Sequence, residues 1–220
     1  VSRLSTKLLI LGASGRCGRL VTQEAVKRGF NVSILVRSNA SDFNQPGVTV
    51  FNGSVLDYDT VESAVRGQDA VACCLGIRRR SSVNPWSKLL SPPDFMARSA
   101  PLIVRAMDSN QVDRLVAISA AGVGSSSTYP TKPVRRLLRM GHLETAYHDL
   151  ESMEQVLANS DLDSLVVRPV TLVNYALKSE ARIVNRYSLL SVVSRSAVAR
   201  WILDAIQRPD RFEHRSETIG

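Results

Sequence analysis

The chain is poor in several things, and each shortage removes a class of protein. Three cysteines in 220 residues make no disulfide framework. Cys73 and Cys74 are adjacent inside an apolar run and Cys17 sits in a glycine-rich stretch, a usage that points to a reducing compartment. No apolar run approaches the roughly 20 residues of a membrane span, and no repeat or low-complexity tract is present. With 44% apolar and 22% charged residues, the composition is that of an ordinary globular domain, neither disordered nor fibrous. Nothing at the start reads as a signal or transit peptide. A cytoplasmic protein with no membrane contact is expected, although Val1 in place of Met leaves a removed organelle-targeting leader open.

Positive charge is what the chain has in excess. A net charge of +8 and a pI near 9.9 suit an acidic partner, such as a phosphorylated cofactor or a nucleic acid. Lys132, Arg135, Arg136 and Arg139 cluster at helical spacing, but no nucleic-acid motif accompanies them, and a solvated face is the plainer reading. Neither nucleic acid nor a metal is expected.

A length of 220 residues fits one domain. Apolar runs at Lys7–Leu11, Asn31–Val36, Val48–Phe51, Ala70–Leu75, Arg114–Ser119 and Ser164–Val167 read as strands. Segments of helical period lie at Cys17–Arg28, Thr60–Arg66, Phe95–Ser109, His142–Asn159 and Ser196–Gln207. Several of the strands are apolar throughout, as strands covered on both faces must be. The alternation predicts an α/β fold: a single Rossmann-type domain, a doubly wound parallel sheet of order 3-2-1-4-5-6, with ligands beyond the strand C-termini. Three stretches break the alternation, Ile77–Asp94, Gly122–Gly141 and Thr171–Arg195. Each follows a strand, so all three are expected over one sheet edge, as substrate loops.

The first strand runs straight into Gly12-Ala13-Ser14-Gly15-Arg16-Cys17-Gly18, and a helix follows. Gly12 permits the tight turn, Gly15 lets main chain approach a pyrophosphate, and Gly18 allows close helix–strand packing. Amides at the helix start, Ser14 to Gly18 among them, would hold the phosphates. The second strand ends Val36-Arg37-Ser38 with no acid before Asp42. A guanidinium suits the 2′-phosphate of NADP, where an acid would suit the ribose of NAD.

The GxxGxxG spacing, with Asn52-Gly-Ser-Val-Leu-Asp57, Asp69-Ala-Val-Ala-Cys-Cys-Leu-Gly76, Val112 to Ser119, Leu165-Val-Val-Arg-Pro-Val-Thr-Leu172 and Val193 to Ala199, resembles the atypical short-chain dehydrogenase/reductases. NmrA-like proteins and biliverdin-IXβ/flavin reductases belong to that branch. The resemblance spans nearly the whole chain. It implies that Gly53, Ser54 and Val55 flank the adenine, with Ser54 standing where most relatives have an acid. It further implies that Leu75 and Gly76 line the cofactor, that Arg78 closes over it, and that Pro169, Val170 and Thr171 lie near the nicotinamide. Ser119, at the end of the fifth strand, would face nicotinamide and substrate and is the candidate catalytic residue.

The Tyr-x-x-x-Lys pair of the classical branch is missing. Tyr147 is followed four residues on by Glu151, and its place in the Leu143, Ala146, Leu150, Met153, Leu157 stripe reads as core. Tyr129 has Lys132 three residues on, and Pro130 and Pro133 argue against helix there. His142 and His148 could donate protons, His148 reading as solvated. Cys17 could be activated at a helix start, and Trp86 could stack on a ligand or anchor a loop. A planar conjugated acceptor needs no such pair, since it can take hydride and collect its proton from solvent. Two expectations follow: an NADPH-dependent reductase of a flavin, tetrapyrrole or quinone type of acceptor, or a non-catalytic NADP(H) sensor of the NmrA-like kind with a regulatory protein partner. A small-molecule substrate and a monomeric state are expected with the first.

Overall fold

The computed structural model describes residues 5–37, 46–81, 84, 86–174 and 180–220. In chain order the elements are β1 Lys7–Leu11, α1 Arg16–Lys27, β2 Asn31–Val36, β3 Val48–Asn52, α2 Tyr58–Val65, β4 Ala70–Cys73, α3 Phe95–Ser109 and β5 Arg114–Ile118. After a 3-10 turn at Gly124–Thr128 come α4 Lys132–Leu138, α5 His142–Ala158, β6 Asp163–Pro169, β7 Thr171–Val173, β8 Val192–Ser194, α6 Arg195–Ile206 and β9 Ser216–Ile219. Seven strands form one sheet in the order β3-β2-β1-β4-β5-β6-β9. Every pairing in it is parallel. The expected 3-2-1-4-5-6 order holds, and a short seventh strand extends the far edge.

Parallel strands need crossovers, and these cover the sheet on both sides. Alternation within each strand divides the core. Leu8, Ile10, Ile34, Val116, Leu165 and Val167 pack beneath α1 and α6. Leu9, Leu11, Leu35, Val71, Leu115 and Val166 pack beneath α2, α3 and α5. All residues of β4 and β6 are buried, which fits the apolar sequence of β4, whereas β6 buries Asp163, Ser164 and Arg168 along with its apolar residues. Among the described residues no helix is long and apolar enough to cross a membrane.

The three expected loops carry more structure than their sequence suggested. In the first, Leu90 N donates to Arg78 O at 2.7 Å and Arg80 N donates to Lys88 O at 3.0 Å, so the arms 78–80 and 88–90 pair antiparallel as a hairpin. The second contains the 3-10 turn and α4, with Pro133 in the first helical turn, where a missing N–H costs nothing. The third opens and closes with β7 and β8, which pair in parallel as a small second sheet. The three follow β4, β5 and β6, so each leaves the sheet at its C-terminal edge.

Candidate functional site

The turn after β1 is built to present bare main chain. Gly12 has φ +81, and a Cβ there would stand 2.7 Å from Cys74 O, so only glycine fits between β1 and β4. At Gly18 a Cβ would collide with Gly12 O and Ala13 Cα, which ties close packing of α1 on β1 to that residue as well. Gly15 caps α1 in an extended conformation (φ −75, ψ 165), offers no side chain to the first-turn amides, and no acid lies in that turn. Those N–H groups, with the positive end of the helix dipole, are open to an external anion. Ser14, Gly15 and Arg16 are exposed, while Gly18 is buried.

A cleft of about 610 Å³, its open mouth included, runs from this turn across the ends of β2, β3 and β4. It brings together nine of the residues singled out from sequence: Gly12, Ser14, Gly15, Arg37, Gly53, Val55, Leu75, Gly76 and Arg78. Sequence reasoning missed five others on its wall, Leu35, Val36, Cys74, Ser91 and Phe95. Leu35, Val36 and Cys74 were read as strand interior, and nothing in the pattern shows that a strand's last residues open into a groove. Arg37 is exposed directly after β2, at the end of the cleft where the adenine ribose of a dinucleotide would lie. Ser38 falls outside the described residues.

The other expected cofactor residues do not line this cleft. Ser54 Oγ accepts a hydrogen bond from Leu56 N at 3.2 Å, so part of its accepting capacity is used within its own turn. Cys17 is half-buried in the first turn of α1, and burial pushes its thiol pKa up while Arg195 and Arg16 draw it down. An activated thiolate is therefore not what the turn provides. Pro169 and Val170 are buried at the end of β6, and Thr171 is exposed.

Ser119 follows β5 directly, with its N–H donating to Val167 O at 2.8 Å. Its hydroxyl is buried and has no hydrogen-bond partner among the described residues. An orphaned hydroxyl costs on the order of 1–3 kcal/mol, so this one marks a place where a ligand group would be welcome. Two phenols converge nearby: Tyr187 Oη donates to Ala121 O at 2.6 Å, and Tyr147 Oη donates to the same oxygen at 3.2 Å. Tyr147 is half-buried at the edge of the core. Burial pushes its pKa up to about 12, against a smaller opposing pull from Arg79. Arg79, on the arm paired with Leu89, thus supplies a cation that the sequence near Tyr147 does not.

The remaining candidates have structural surroundings. His142 Nδ1 donates to Ser87 O at 2.8 Å and pins the hairpin to the start of α5. His148 is exposed beside Glu151, and Trp86 is 62% exposed, so it is no packed anchor. Among the described residues no group of three or more His, Cys, Asp or Glu could hold a metal ion. A dinucleotide, by contrast, fits what is here: open first-turn amides, a glycine cradle, a groove across the ends of β2, β3 and β4, and an unpaired hydroxyl beyond β5.

Comparisons with known proteins agree with this geometry. The chain resembles an anaerobilin reductase, ChuY, from Escherichia coli O157:H7, with a TM-score of 0.79 at 20% identity over 97% of this chain and 96% of the other. It also resembles a short-chain dehydrogenase/reductase from Veillonella parvula solved in complex with NADP, with a TM-score of 0.75 at 19% identity over 99% and 95%. At these identities the likeness is one of fold. Among curated proteins, eugenol synthase 1 of Petunia hybrida is 32% identical over 81 residues, 32% of this chain and 26% of that protein. Isoflavone reductase of Pisum sativum is 29% identical over 91 residues, 32% of this chain and 29% of that one. The matched region thus spans under a third of these curated relatives. The family of NAD(P)H-binding domains matches residues 12–209, nearly the whole chain. By that match, and by the turn and cleft that explain it, the chain belongs to the NAD(P)H-binding family.

Proposed function

We propose that the protein is an NADPH-dependent reductase that passes hydride to a small planar conjugated acceptor of the flavin, tetrapyrrole or quinone type. The observation that carries the reading is the buried, unpartnered hydroxyl of Ser119 at the end of β5. The pyrophosphate turn and the end of β5 lie along one sheet edge. A dinucleotide anchored at the first would extend its nicotinamide toward the second. Ser119 then hydrogen-bonds the carboxamide or the acceptor, with Pro169, Val170 and Thr171 beside it. Arg37 meets the 2′-phosphate, and Arg78 closes from the hairpin.

When bound, NADPH supplies the hydride. The chain contributes position and the exclusion of water. Tyr147 is a poor proton donor as it stands, because burial holds its pKa at about 12 and its proton is engaged by Ala121 O. An acceptor that draws its proton from solvent is therefore favoured over a simple ketone or aldehyde. Likeness in fold to a protein described as an anaerobilin reductase supports the same class.

The lack of a tyrosine–lysine pair equally favours a second reading, a cofactor-binding sensor without turnover. One measurement separates them: purified protein with NADPH and a panel of flavins, tetrapyrroles and quinones, followed at the nicotinamide absorbance. Turnover with any of them that falls on Ser119→Ala supports the reductase. Tight NADPH binding with no turnover across the panel would leave the sensor.

A further inference from the structure

The cleft described above accounts for the adenine half of a dinucleotide, on the β2 side of the turn. On the opposite side, toward β5 and β6, a second arginine reaches the same turn. Arg195 is the first residue of α6, held there by Ser194, whose side chain accepts from Ala197 N at 3.1 Å. Its Nη1 donates to Asn174 Oδ1, directly after β7, at 2.6 Å. Its guanidinium also lies beside the Cys17 thiol, in the first turn of α1. Among the described residues neither partner is charged, and no carboxylate forms an ion pair with Arg195.

Among the described residues several guanidiniums meet carboxylates, as Arg28 does with Glu24 and Asp204, and Arg208 with Glu217, whereas Arg215 and Arg135 are spent on main-chain carbonyls. A half-buried cation held only by neutral groups gains nothing from them in charge. The Asn174 amide fixes the side chain, and the Cys17 thiol lies beside it. Among the described residues its remaining donors meet no further hydrogen-bond acceptor, and they lie at the helix start whose amides already favour an anion.

We propose that Arg195 is a phosphate-binding residue of the cofactor site, gripping the nicotinamide-side phosphate of the pyrophosphate, with Asn174 as the positioning residue that sets the guanidinium. The two arginines then divide the cofactor between them. Arg37 reads the 2′-phosphate from the β2 side, and Arg195 closes on the pyrophosphate from the β6 side. Because Asn174 follows β7 and Arg195 follows β8, the small β7–β8 sheet becomes part of the cofactor site. The inference rests on NAD(P)H binding and is independent of whether hydride is transferred.

The test compares two ligands by calorimetry on the full chain. NADPH carries the nicotinamide-side phosphate, and adenosine 2′,5′-bisphosphate lacks it. Replacing Arg195 with Met is expected to weaken NADPH about tenfold or more, the worth of one charged hydrogen bond. The bisphosphate should change by less than about twofold, and Arg195→Lys should recover part of the NADPH loss. Equal losses for both ligands, or none for NADPH, would overturn the proposal. Should Arg195→Met not fold, Asn174→Ala decides the matter, since it keeps the charge and removes only the tether. It must weaken NADPH while sparing the bisphosphate, and no selective loss would count against the role. Binding is what is read, so absence of turnover would remove the reductase and leave this result standing.

Discussion

Asp149, on α5, caps α3 from across a helix–helix interface: its carboxylate accepts from Met96 N at 2.8 and 3.0 Å and from Ala97 N at 2.9 Å. Nothing within α3 does this, since its own N-cap, Asp94, makes no side-chain hydrogen bond. Asp149 is 4% exposed. Burial pushes its pKa up, and the two amides pull it back down. Replacement by Ala would orphan both amides at once. An expected loss of about 2 kcal/mol follows, or about 4–8 °C in Tm for a chain of this size. Thermal melts of Asp149→Ala check it, and an unchanged Tm would mean that water replaces the carboxylate at no cost.

A second polar contact crosses the core from α5 to β6. Arg168 Nε donates to Glu154 Oε1 at 3.0 Å and its Nη2 to Oε2 at 2.5 Å, both side chains under a tenth exposed, while Nη1 donates to Ser125 Oγ at 2.8 Å. A Cβ at Gly124 would stand 2.9 Å from both ends of the pair, which explains the glycine there. Breaking one partner leaves a buried charge, so Glu154→Ala is expected to cost about 3–5 kcal/mol. Glu154→Leu with Arg168→Met removes both charges and should cost much less. Denaturant unfolding of the three variants tests this. A double variant as weak as the single would mean that the pair, and not the stranded charge, matters.

How much of this was readable beforehand depends on whether the signal is local. The glycine turn was legible because strand, Gly12, Gly15, Gly18 and helix are consecutive, and the strand order followed from apolar runs that any parallel sheet needs. β9 was not, because Ser216–Ile219 has four residues and no apolar run, and is defined by its partners, β6 on one side and residues 182–184 on the other. Pro133 was taken as a helix breaker beside Tyr129, whereas it occupies the one helical turn that tolerates it. Tyr147 fell on the apolar stripe of α5, yet its phenol ends at the loop carbonyl of Ala121, under a hairpin no periodicity reveals. Asp149 and Arg195 act on elements 50 or more residues away in one case and across two helices in the other, and no motif in one sequence encodes such pairs.

Alkaline stability carries a signature of the buried acids. Burial raises Tyr147 from 10.0 to about 12 and Cys73 from 9.0 to about 11, and pushes Tyr187 up further still. These groups stay protonated in the fold while the unfolded chain has begun to release its protons. Their contribution is whole below the unfolded pKa and is lost as pH rises through the folded one. Stability should therefore fall from about pH 9 onward and most steeply between about pH 10 and 12. Tyr147→Phe should make that fall shallower at unchanged stability near pH 7. Urea midpoints measured from pH 7 to 11 give the answer, and parallel curves for the two proteins would show that Tyr147 ionises as easily folded as unfolded.

Choice between the two nicotinamide cofactors turns on one exposed side chain. Arg37 follows β2, lines the cleft, and has no acid nearby in sequence before Asp42. A guanidinium meets a phosphate dianion with two parallel bonds and gains nothing comparable from a ribose hydroxyl. Arg37→Glu exchanges that attraction for repulsion of the 2′-phosphate, and it supplies NADH with the acceptor that its ribose prefers. NADPH affinity is expected to drop about 100-fold, and NADH affinity to hold or rise a few-fold. The preference for NADPH should also weaken with added salt in the wild type, because the contact is exposed and screened, and the variant should lose that salt dependence. Equal changes for both cofactors would take the 2′-phosphate away from Arg37 and with it the ground for naming NADPH.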